Sequence, residues 1–338
     1  MNMLDLVIEN TEKAAQMLVN NFATISHHGL TSARLLSPTK PTLAEWTRAA
    51  GLDWHIEQSP VMYKHQGNVV ESDNNKVLMR SDTGFELGIL SNKYKPVNPS
   101  EVMHFFSDLI EDHGFKMIQA GYADGGKKIY AYAQCGGEWE VAAGDKTLNN
   151  LLLMTSSDGS SATLVQPFVE SLYCLNQLPM VSKMFSPIKV RHSSKFDAEK
   201  VKIDLGIYDN AVHEFAESLK ALAKKNVGGK EALSIIYKLL AKKDNIEDES
   251  RHTVNLISNI YSKFKGQGIA SQREGRKDTL WGLLNAVTEY TDHDMASNDN
   301  NRWKSKVNGA GSTLKQQAYE YINDICNETV EIELIKGL

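Results

Sequence analysis

The stretch FKMIQAGYADGGKKIYAYAQ, residues 115–134, decides which fold the chain adopts. From Gly121 to Lys128 it nearly fits the phosphate-binding pattern GxxxxGK[ST], in which a strand leads through a glycine-rich loop into a helix. The fit fails at Lys128, which replaces the hydroxyl residue that binds Mg²⁺. It fails again in the following Ile-Tyr-Ala-Tyr, which is typical of a strand. The stretch therefore predicts two strands, 115–122 and 127–134, joined by an Asp-Gly-Gly turn.

Similar signals predict a mostly antiparallel sheet with few helices through the first two-thirds of the chain. One helix is expected to begin at Asn98 and Pro99, because Asn is a capping residue and Pro suits the first helical position. Glu101 completes this capping pattern, and Gly114 is expected to end the helix. The other segments predicted as strands are 76–80, 85–90, 148–155 and 162–169, with the first two joined by an Asp-Thr-Gly turn.

The last third of the chain has a different periodicity. From about Asp209 onward the apolar residues recur at helical spacing, and the last predicted helix runs from Ser312 to Cys326. Residues 1–24 also have helical spacing, and a polar link that contains prolines follows them. We therefore predict an α+β fold with a helical C-terminal third. Its predicted parts are an N-terminal helix and linker (1–50), a β-rich α+β domain (51–205) and a helical region with a basic, glycine-rich loop (206–338).

The composition is that of an ordinary globular protein, with 41% hydrophobic and 23% charged residues. Its 37 basic residues against 42 acidic ones exclude a uniformly basic nucleic-acid coat, so any nucleic-acid site must lie where positive charge is locally concentrated. The three cysteines form no CxxC pair, which argues against a disulfide framework or a cysteine zinc site. With no basic leader and no apolar run of about 20 residues, we expect a cytoplasmic protein with no membrane segment.

Positive charge is concentrated in two C-terminal segments. Residues 263–277 hold five basic residues against one acidic, and residues 302–315 hold four against none. The first segment contains Gly266 and Gly268 and runs into a predicted helix, whose N-terminal N–H groups favour anions. The candidate nucleic-acid-binding residues are Lys127, Lys128, Arg191, Lys263, Lys265, Arg273, Arg276, Lys277, Arg302, Lys304 and Lys306.

Three aromatic residues are candidates for stacking on bases: Tyr130, Tyr132 and Trp281. Burial in the core is the alternative for each of them. Cations just before a helix N-terminus oppose the helix dipole. We therefore expect that exchanging Arg273, Arg276 and Lys277 for Gln leaves stability unchanged or slightly improved. If these cations instead pair with the acidic stretch 289–299, the exchange should destabilise the fold.

The run TLWGLLNAVTEYTDH, residues 279–293, follows the basic loop and resembles the C-terminal signature of the phage/plasmid-like protein family, a domain-of-unknown-function family encoded by phages and plasmids. Other similar pieces occur in order at 51–54, 80–82, 157–159, 174–176 and 191–192. The chain departs from the pattern at Gln177, where the family leads us to expect Thr. The resemblance implies a distant kinship with single-strand annealing proteins, which form rings on single-stranded DNA. We therefore expect a cofactor-independent single-stranded DNA-binding protein that acts as a homo-oligomer, ring or filament, in strand annealing or recombination.

Two other classes of function stay open at this point. Cys174, with His192 as base and Asp158 as orienting group, suggests an enzyme that acts on nucleic acid or nucleotides. Against it, Cys is among the most often buried residues, and Asp158 with the following Gly is typical of a turn. A protein that counters host defence through protein contacts is the third class. We predict no catalytic residue, no metal site and no cofactor.

Overall fold

The structure is a computed structural model that describes residues 22–27, 29–36, 40–180, 187–194, 197, 209–243 and 246–335. The strands are β1 (Phe22–His27), β2 (Leu30–Leu35), β3 (Ile56–His65), β4 (Asn68–Arg80), β5 (Glu86–Ser91), β6 (Lys116–Ala123), β7 (Lys128–Ala142), β8 (Asp145–Ser156), β9 (Thr163–Ser171), β10 (Gln177–Pro179) and β11 (Ile188–Val190). The helices are α1 (Leu43–Ala49), α2 (Pro99–His113), α3 (Asp209–Lys224), α4 (Gly229–Leu240), α5 (Arg251–Ser262), α6 (Leu280–Glu289), α7 (Asp299–Asn308) and α8 (Ala310–Cys326). Two π-helical turns, Lys263–Gln267 and Tyr290–Asp294, continue α5 and α6.

The strands form two sheets. The larger has the order β1-β2-β6-β7-β8-β9-β10, with β11 also paired to β9, and the smaller has the order β3-β4-β5. The pairings of β1 with β2, β2 with β6, β6 with β7, and β9 with β10 and β11 are antiparallel, as are those of the smaller sheet. With helices collected in the last third, this arrangement confirms the predicted α+β fold.

The chain divides into two compact units that do not follow the predicted boundary at residue 205. The first unit contains the residues up to 136 together with 151–166 and 187–202. The second contains 137–150, 167–186 and 203–338. Strands β7, β8 and β9 each contribute residues to both units. The change from strand to helix patterns near residue 209 therefore does not mark where the two units divide.

The predicted hairpin of residues 115–134 is confirmed as strands β6 and β7 of the first unit. Gly121 pairs with Tyr130 on one side and with Ser32 of β2 on the other. A Cβ atom at position 121 would lie 2.1 Å from the carbonyl oxygen of Thr31. Only glycine therefore allows β2 and β6 to approach this closely.

The predicted start and end of α2 are also confirmed. The Glu101 carboxylate accepts a hydrogen bond from the Asn98 N–H at 2.8 Å, as in a capping box. The Asn98 side-chain oxygen, however, accepts from the N–H of Ile56 at 2.9 Å, which attaches the helix start to β3. Gly114 ends the helix in the left-handed conformation, with φ 68°.

Arg80 makes contacts well beyond its salt bridge with Asp82. The guanidinium donates to both Asp82 oxygens, at 2.9 and 2.6 Å, and to the Gly125 carbonyl at 3.0 Å. It lies between the rings of Trp54 and Tyr122, 4.4 and 4.7 Å from their centroids, and is buried. This arginine therefore joins the β4–β5 turn to β6 within the core of the first unit.

The N-terminal region differs from the prediction. Residues 22–50, predicted as a helix end and linker, contain β1, β2 and α1. Phe22 packs edge-on against Trp46 of α1, with ring centroids 4.7 Å apart, and so gives this segment its own apolar contact. The predicted helix itself falls mainly on residues 1–21, which lie outside the described residues.

The second unit is organised around α6. Every residue of this helix is buried, and it packs against α3, α5 and α8. Its apolar side chains, among them Leu283, Leu284 and Val287, share one core with Phe215 and Ile322. The predicted helical periodicity of the last third is therefore confirmed, and α6 is its most buried element.

We predict that Gly121→Ala destabilises the protein by at least about 2 kcal/mol, because the new methyl group meets strand backbone rather than a movable side chain. Gly137→Ala is the matched control, since a Cβ atom there meets nothing within 4 Å. Urea unfolding of the two variants and the wild-type protein measures both effects. Equal midpoints for the two variants would contradict the close approach of β2 and β6.

Candidate nucleic-acid interface

The basic loop after the first π-helical turn is a series of hydrogen-bonded turns. The backbone N–H groups of Gly268, Ser271 and Arg273 donate to carbonyls three to five residues earlier. Gly275 has φ 76°, and a Cβ atom there would lie 2.1 Å from the Cβ of Ala142. The loop is therefore pressed against the end of β7, within the second unit, and it does not project as a free basic segment.

Arg276, a predicted phosphate ligand, is fully buried. Its guanidinium donates to both carboxylate oxygens of Asp145 at 2.7 Å, to the Ser171 hydroxyl at 2.8 Å, and to the Cys174 sulfur at 3.4 Å. Burial opposes the charge, but the hydrogen bonds and the charge of Asp145 raise the pKa of Arg276 overall. The prediction for this residue is wrong, because an arginine with every nitrogen paired inside the protein cannot also contact a phosphate.

The three aromatic candidates for base stacking are also buried, so the alternative of core packing is correct for each. The Trp281 ring N–H donates to Asp145 at 2.7 Å and completes the pairing around Arg276. Tyr130 and Tyr132 lie in β7 of the first unit. Tyr132 bonds Gln119 and accepts from Arg34 at 3.0 Å. None of these rings offers a face to a base.

Several other candidate cations have acidic partners. Lys263 lies 3.0 Å from Glu289 and 2.8 Å from Asp294. Lys265 pairs with Asp278 at 3.0 Å and Arg302 with Asp299 at 2.6 Å. In the first unit Lys128 pairs with Asp158 at 2.9 Å. Lys127 lies 6.0 Å from the Phe85 ring, Arg191 is exposed, and Lys304 and Lys306 are half-buried on α7.

The surface around Arg273 is the strongest remaining candidate, and we call Arg273, Tyr173, Lys146 and Lys277 the cationic platform. The Arg273 guanidinium lies 3.5 Å from the centroid of the Tyr173 ring and donates to the Gly144 carbonyl at 2.7 Å. Tyr173 is 38% exposed. Lys277 is exposed one turn beyond Arg273, whose carbonyl accepts its N–H at 3.2 Å. Lys146 is exposed and its side chain pairs with Glu138, while its carbonyl accepts the N–H of Leu172, the neighbour of Tyr173, at 3.1 Å.

The sequence did not single out Tyr173 or Lys146. Tyr173 adjoins Cys174, and of the two only Cys174 is a candidate from sequence. Lys146 is a single lysine at the start of β8, 127 positions before Arg273. Neither residue has a local signal, because the platform exists only through the contacts of the folded second unit.

Several residues of the segments that resemble the family form a second buried network together with Lys315 and Gln177. Lys315 and Asp292, both fully buried, lie 2.7 Å apart, and Asp292 also accepts the Gln177 N–H at 2.7 Å. Burial lowers the pKa of Lys315, against the opposing effect of Asp292. His293 bonds the Cys174 carbonyl and the Asn176 side chain at 3.0 and 3.1 Å. This network attaches the segment before β10 to the end of α6.

A family model, Domain of unknown function (DUF932), matches residues 86–314. The chain belongs to the DUF932 family. The matched residues of this DUF932 domain include Asp145, Arg276 and Asp292, so both ends of the Arg276 ion pair belong to it. No curated protein and no solved structure matches the chain. Among the residues that the structure describes, no helix has both the length and the apolar character needed to cross a bilayer.

The three residues of the alternative enzyme hypothesis have other partners in this DUF932 protein. Cys174 belongs to the second unit and is buried against Arg276. His192 belongs to the first unit, where it stacks on Tyr94 with centroids 4.5 Å apart, and burial lowers its pKa. Burial alone would raise the pKa of Asp158, but hydrogen bonds from Ser160, Lys128 and Ser156 lower it well below its usual range. Each residue thus has a structural role in its own unit.

We predict that Arg276→Gln destabilises the protein by about 3–5 kcal/mol, because it leaves the Asp145 carboxylate buried without its partner. Lys277→Gln, one position away and exposed, should change stability by no more than about 0.5 kcal/mol. Urea unfolding of both variants tests the difference. A loss of stability in Arg276→Gln alone would contradict the expectation from sequence that the loop cations can be exchanged for Gln without destabilising the fold. Equal stabilities of the two variants would support that expectation and contradict the structural role of Arg276.

Proposed function

We propose that this protein binds single-stranded DNA without a cofactor, as a homo-oligomer, and supports strand annealing or recombination. A phage or plasmid origin and a distant kinship with single-strand annealing proteins are part of the proposal. They are supported by the resemblance of residues 279–293 and the shorter motifs before them. Binding is assigned to the cationic platform of the second unit.

The observation that carries the proposal is the Tyr173–Arg273 stack. An exposed aromatic ring covered on one face by a guanidinium, with Lys277 and Lys146 beside it, combines the two elements that bind single strands. Rings and guanidinium planes stack on bases of any sequence, and the cations neutralise phosphates. Single-stranded DNA is favoured over duplex because only its bases are free to stack.

The number of cations in and beside the cationic platform sets the expected salt dependence. With Lys265, Arg273, Lys277 and Lys146 in contact with phosphates, about four counterions are displaced. Affinity for single-stranded DNA should then fall about 50-fold for a fourfold rise in salt. Buried Arg276 and Lys315 are not counted, because their charges are already compensated inside the protein.

Exposed apolar side chains of the first unit support the oligomer. Met62, Tyr63 and Val69 are each more than half exposed on the paired ends of β3 and β4. Isolated two-stranded ribbons are marginally stable in water, so a covering subunit would stabilise this one. Electron microscopy with and without single-stranded DNA tests assembly, and a fluorescence assay with complementary strands tests annealing. Monomers that leave complementary strands unpaired would contradict this part of the proposal.

We predict that the double variant Arg273→Gln and Lys277→Gln weakens single-stranded DNA binding equally for every sequence. Its salt slope should be shallower by about 1.4, because two phosphate contacts are lost. Fluorescence anisotropy with a labelled oligonucleotide at four salt concentrations measures the slope. The matched control is Lys230→Gln with Lys238→Gln, two exposed lysines of α4, which should bind as the wild type does. An unchanged slope in the platform variant would remove these residues from the site.

We predict that Tyr173→Ala lowers affinity for single-stranded DNA about tenfold or more while the salt slope stays the same, since a stacking contact and not a charge is lost. Tyr173→Phe keeps the ring and should retain the affinity. The same anisotropy titration separates the two variants, with thermal melts to verify folding. Equal loss in both variants would assign the effect to the hydroxyl and contradict the stacking role.

A further inference from the structure

A polar cleft lies along α5 in the second unit. Its volume is about 590 Å³, and every residue that lines it is polar: Asn255, Ser258, Asn259, Ser262, Lys263, Gln267 and Asp294. The first four are spaced i, i+3, i+4 and i+7, so they form one face of the helix. Small-molecule pockets of this size are mostly lined by apolar and aromatic side chains, which makes this cleft unsuited to an apolar ligand.

The polar face of α5 is unusual in its lack of charge. The opposite face buries Ile257 and Ile260, as in any amphipathic helix. Exposed helix positions are usually filled by good helix formers such as Lys, Glu and Gln, whereas Asn and Ser are poorer helix formers. Residues that weaken a helix without improving its packing are expected at functional positions, and the Asn and Ser residues of this face are of that kind.

The amide groups in the cleft are available to a ligand. Within the described part of the chain, the side chains of Asn255, Asn259 and Gln267 make no hydrogen bond to another protein group. Each amide presents a donor and an acceptor side by side. Such a pair matches the edge of a nucleobase, and Asn and Gln bond the N6 and N7 atoms of adenine in this way.

The charge in the cleft argues against an anion as its occupant. The Lys263 ammonium lies between Glu289 and Asp294, at 3.0 and 2.8 Å, so it is already compensated by two carboxylates. The occupant must therefore be a neutral group rich in hydrogen-bonding atoms, which describes the base of a nucleotide better than its phosphate.

The cleft also adjoins the basic loop. Lys263 and Gln267 lie at the two ends of the first π-helical turn, and Lys265 between them extends to Asp278, next to Lys277. One short turn thus connects a neutral, amide-lined cleft to exposed cations. We propose that this cleft holds bases of the bound single strand, with a preference for adenine, while the cations beside it hold the phosphates.

This inference rests on the proposed binding of single-stranded DNA, and one experiment separates the two. The affinities of the wild-type protein and of the double variant Asn255→Ala and Asn259→Ala are measured for labelled oligo-dA, oligo-dC and oligo-dT. Ala is the better helix former, so the variant should melt at the same temperature or higher. It should lose about tenfold in affinity for oligo-dA, lose less for the other two, and keep the wild-type salt slope.

Asn74→Ala with Asn75→Ala, two exposed asparagines of β4, is the matched control and should bind all three oligonucleotides as the wild type does. If the wild type binds no oligonucleotide, the proposed function fails and this inference fails with it. If the wild type binds and the cleft variant binds each of the three oligonucleotides as tightly as the wild type does, the base site is overturned and the proposed function stands.

Discussion

The second unit depends on one buried ion pair, between Arg276 and Asp145. Neither side chain has any exposed surface, so both charges have lost their hydration, which costs several kcal/mol for each ion. Only good geometry offsets that cost, and here the two groups form two parallel hydrogen bonds while Ser171, Cys174 and Trp281 occupy the remaining positions. An arginine side chain stays charged at any ordinary pH, so Arg276 cannot be buried without the carboxylate of Asp145. The segments that carry these two residues must therefore come together whenever the unit folds.

This pair also explains why so much of the predicted binding charge is absent from the surface. A cation close to others in sequence can be paired with a carboxylate far along the chain, and Arg276 is paired with a residue 131 positions earlier. Lys315 and Lys263 are likewise compensated by Asp292 and Glu289. The charge that is left for a polymeric anion is therefore small and local, in keeping with the net charge of −5.

Local signals predicted local structure well. The β6–β7 hairpin, the capped start of α2 and the helices of the last third each follow from a turn, a cap or an apolar period within a few residues. What sequence could not predict is which side chains become buried by distant partners. Arg80 between Trp54 and Tyr122 is one case, and Tyr130 in the centre of a sheet is another.

The residues of the candidate site also fall into two groups, those with a local sequence signal and those without one. The glycine-rich basic loop predicts Arg273 and Lys277, but Tyr173 lies in the turn after β9 and has no local signal. The polar face of α5 is visible in sequence as Asn and Ser at helical spacing, yet its importance depends on the cleft in front of it. Short elements were missed for a related reason, since α1 has only seven residues, too few to show a period.

The discontinuous second unit has a practical consequence for the design of expression fragments. Residues 137–150 and 167–186 belong to it together with everything after 203, so a truncation near residue 206 would separate the helices from part of their own core. Such a fragment would retain Arg276 but lack Asp145, Ser171 and Cys174, which are the hydrogen-bond partners of its guanidinium. The helical third therefore depends on earlier segments for part of its core, and insertions or fusions belong outside the interval from residue 137 to the end of α8.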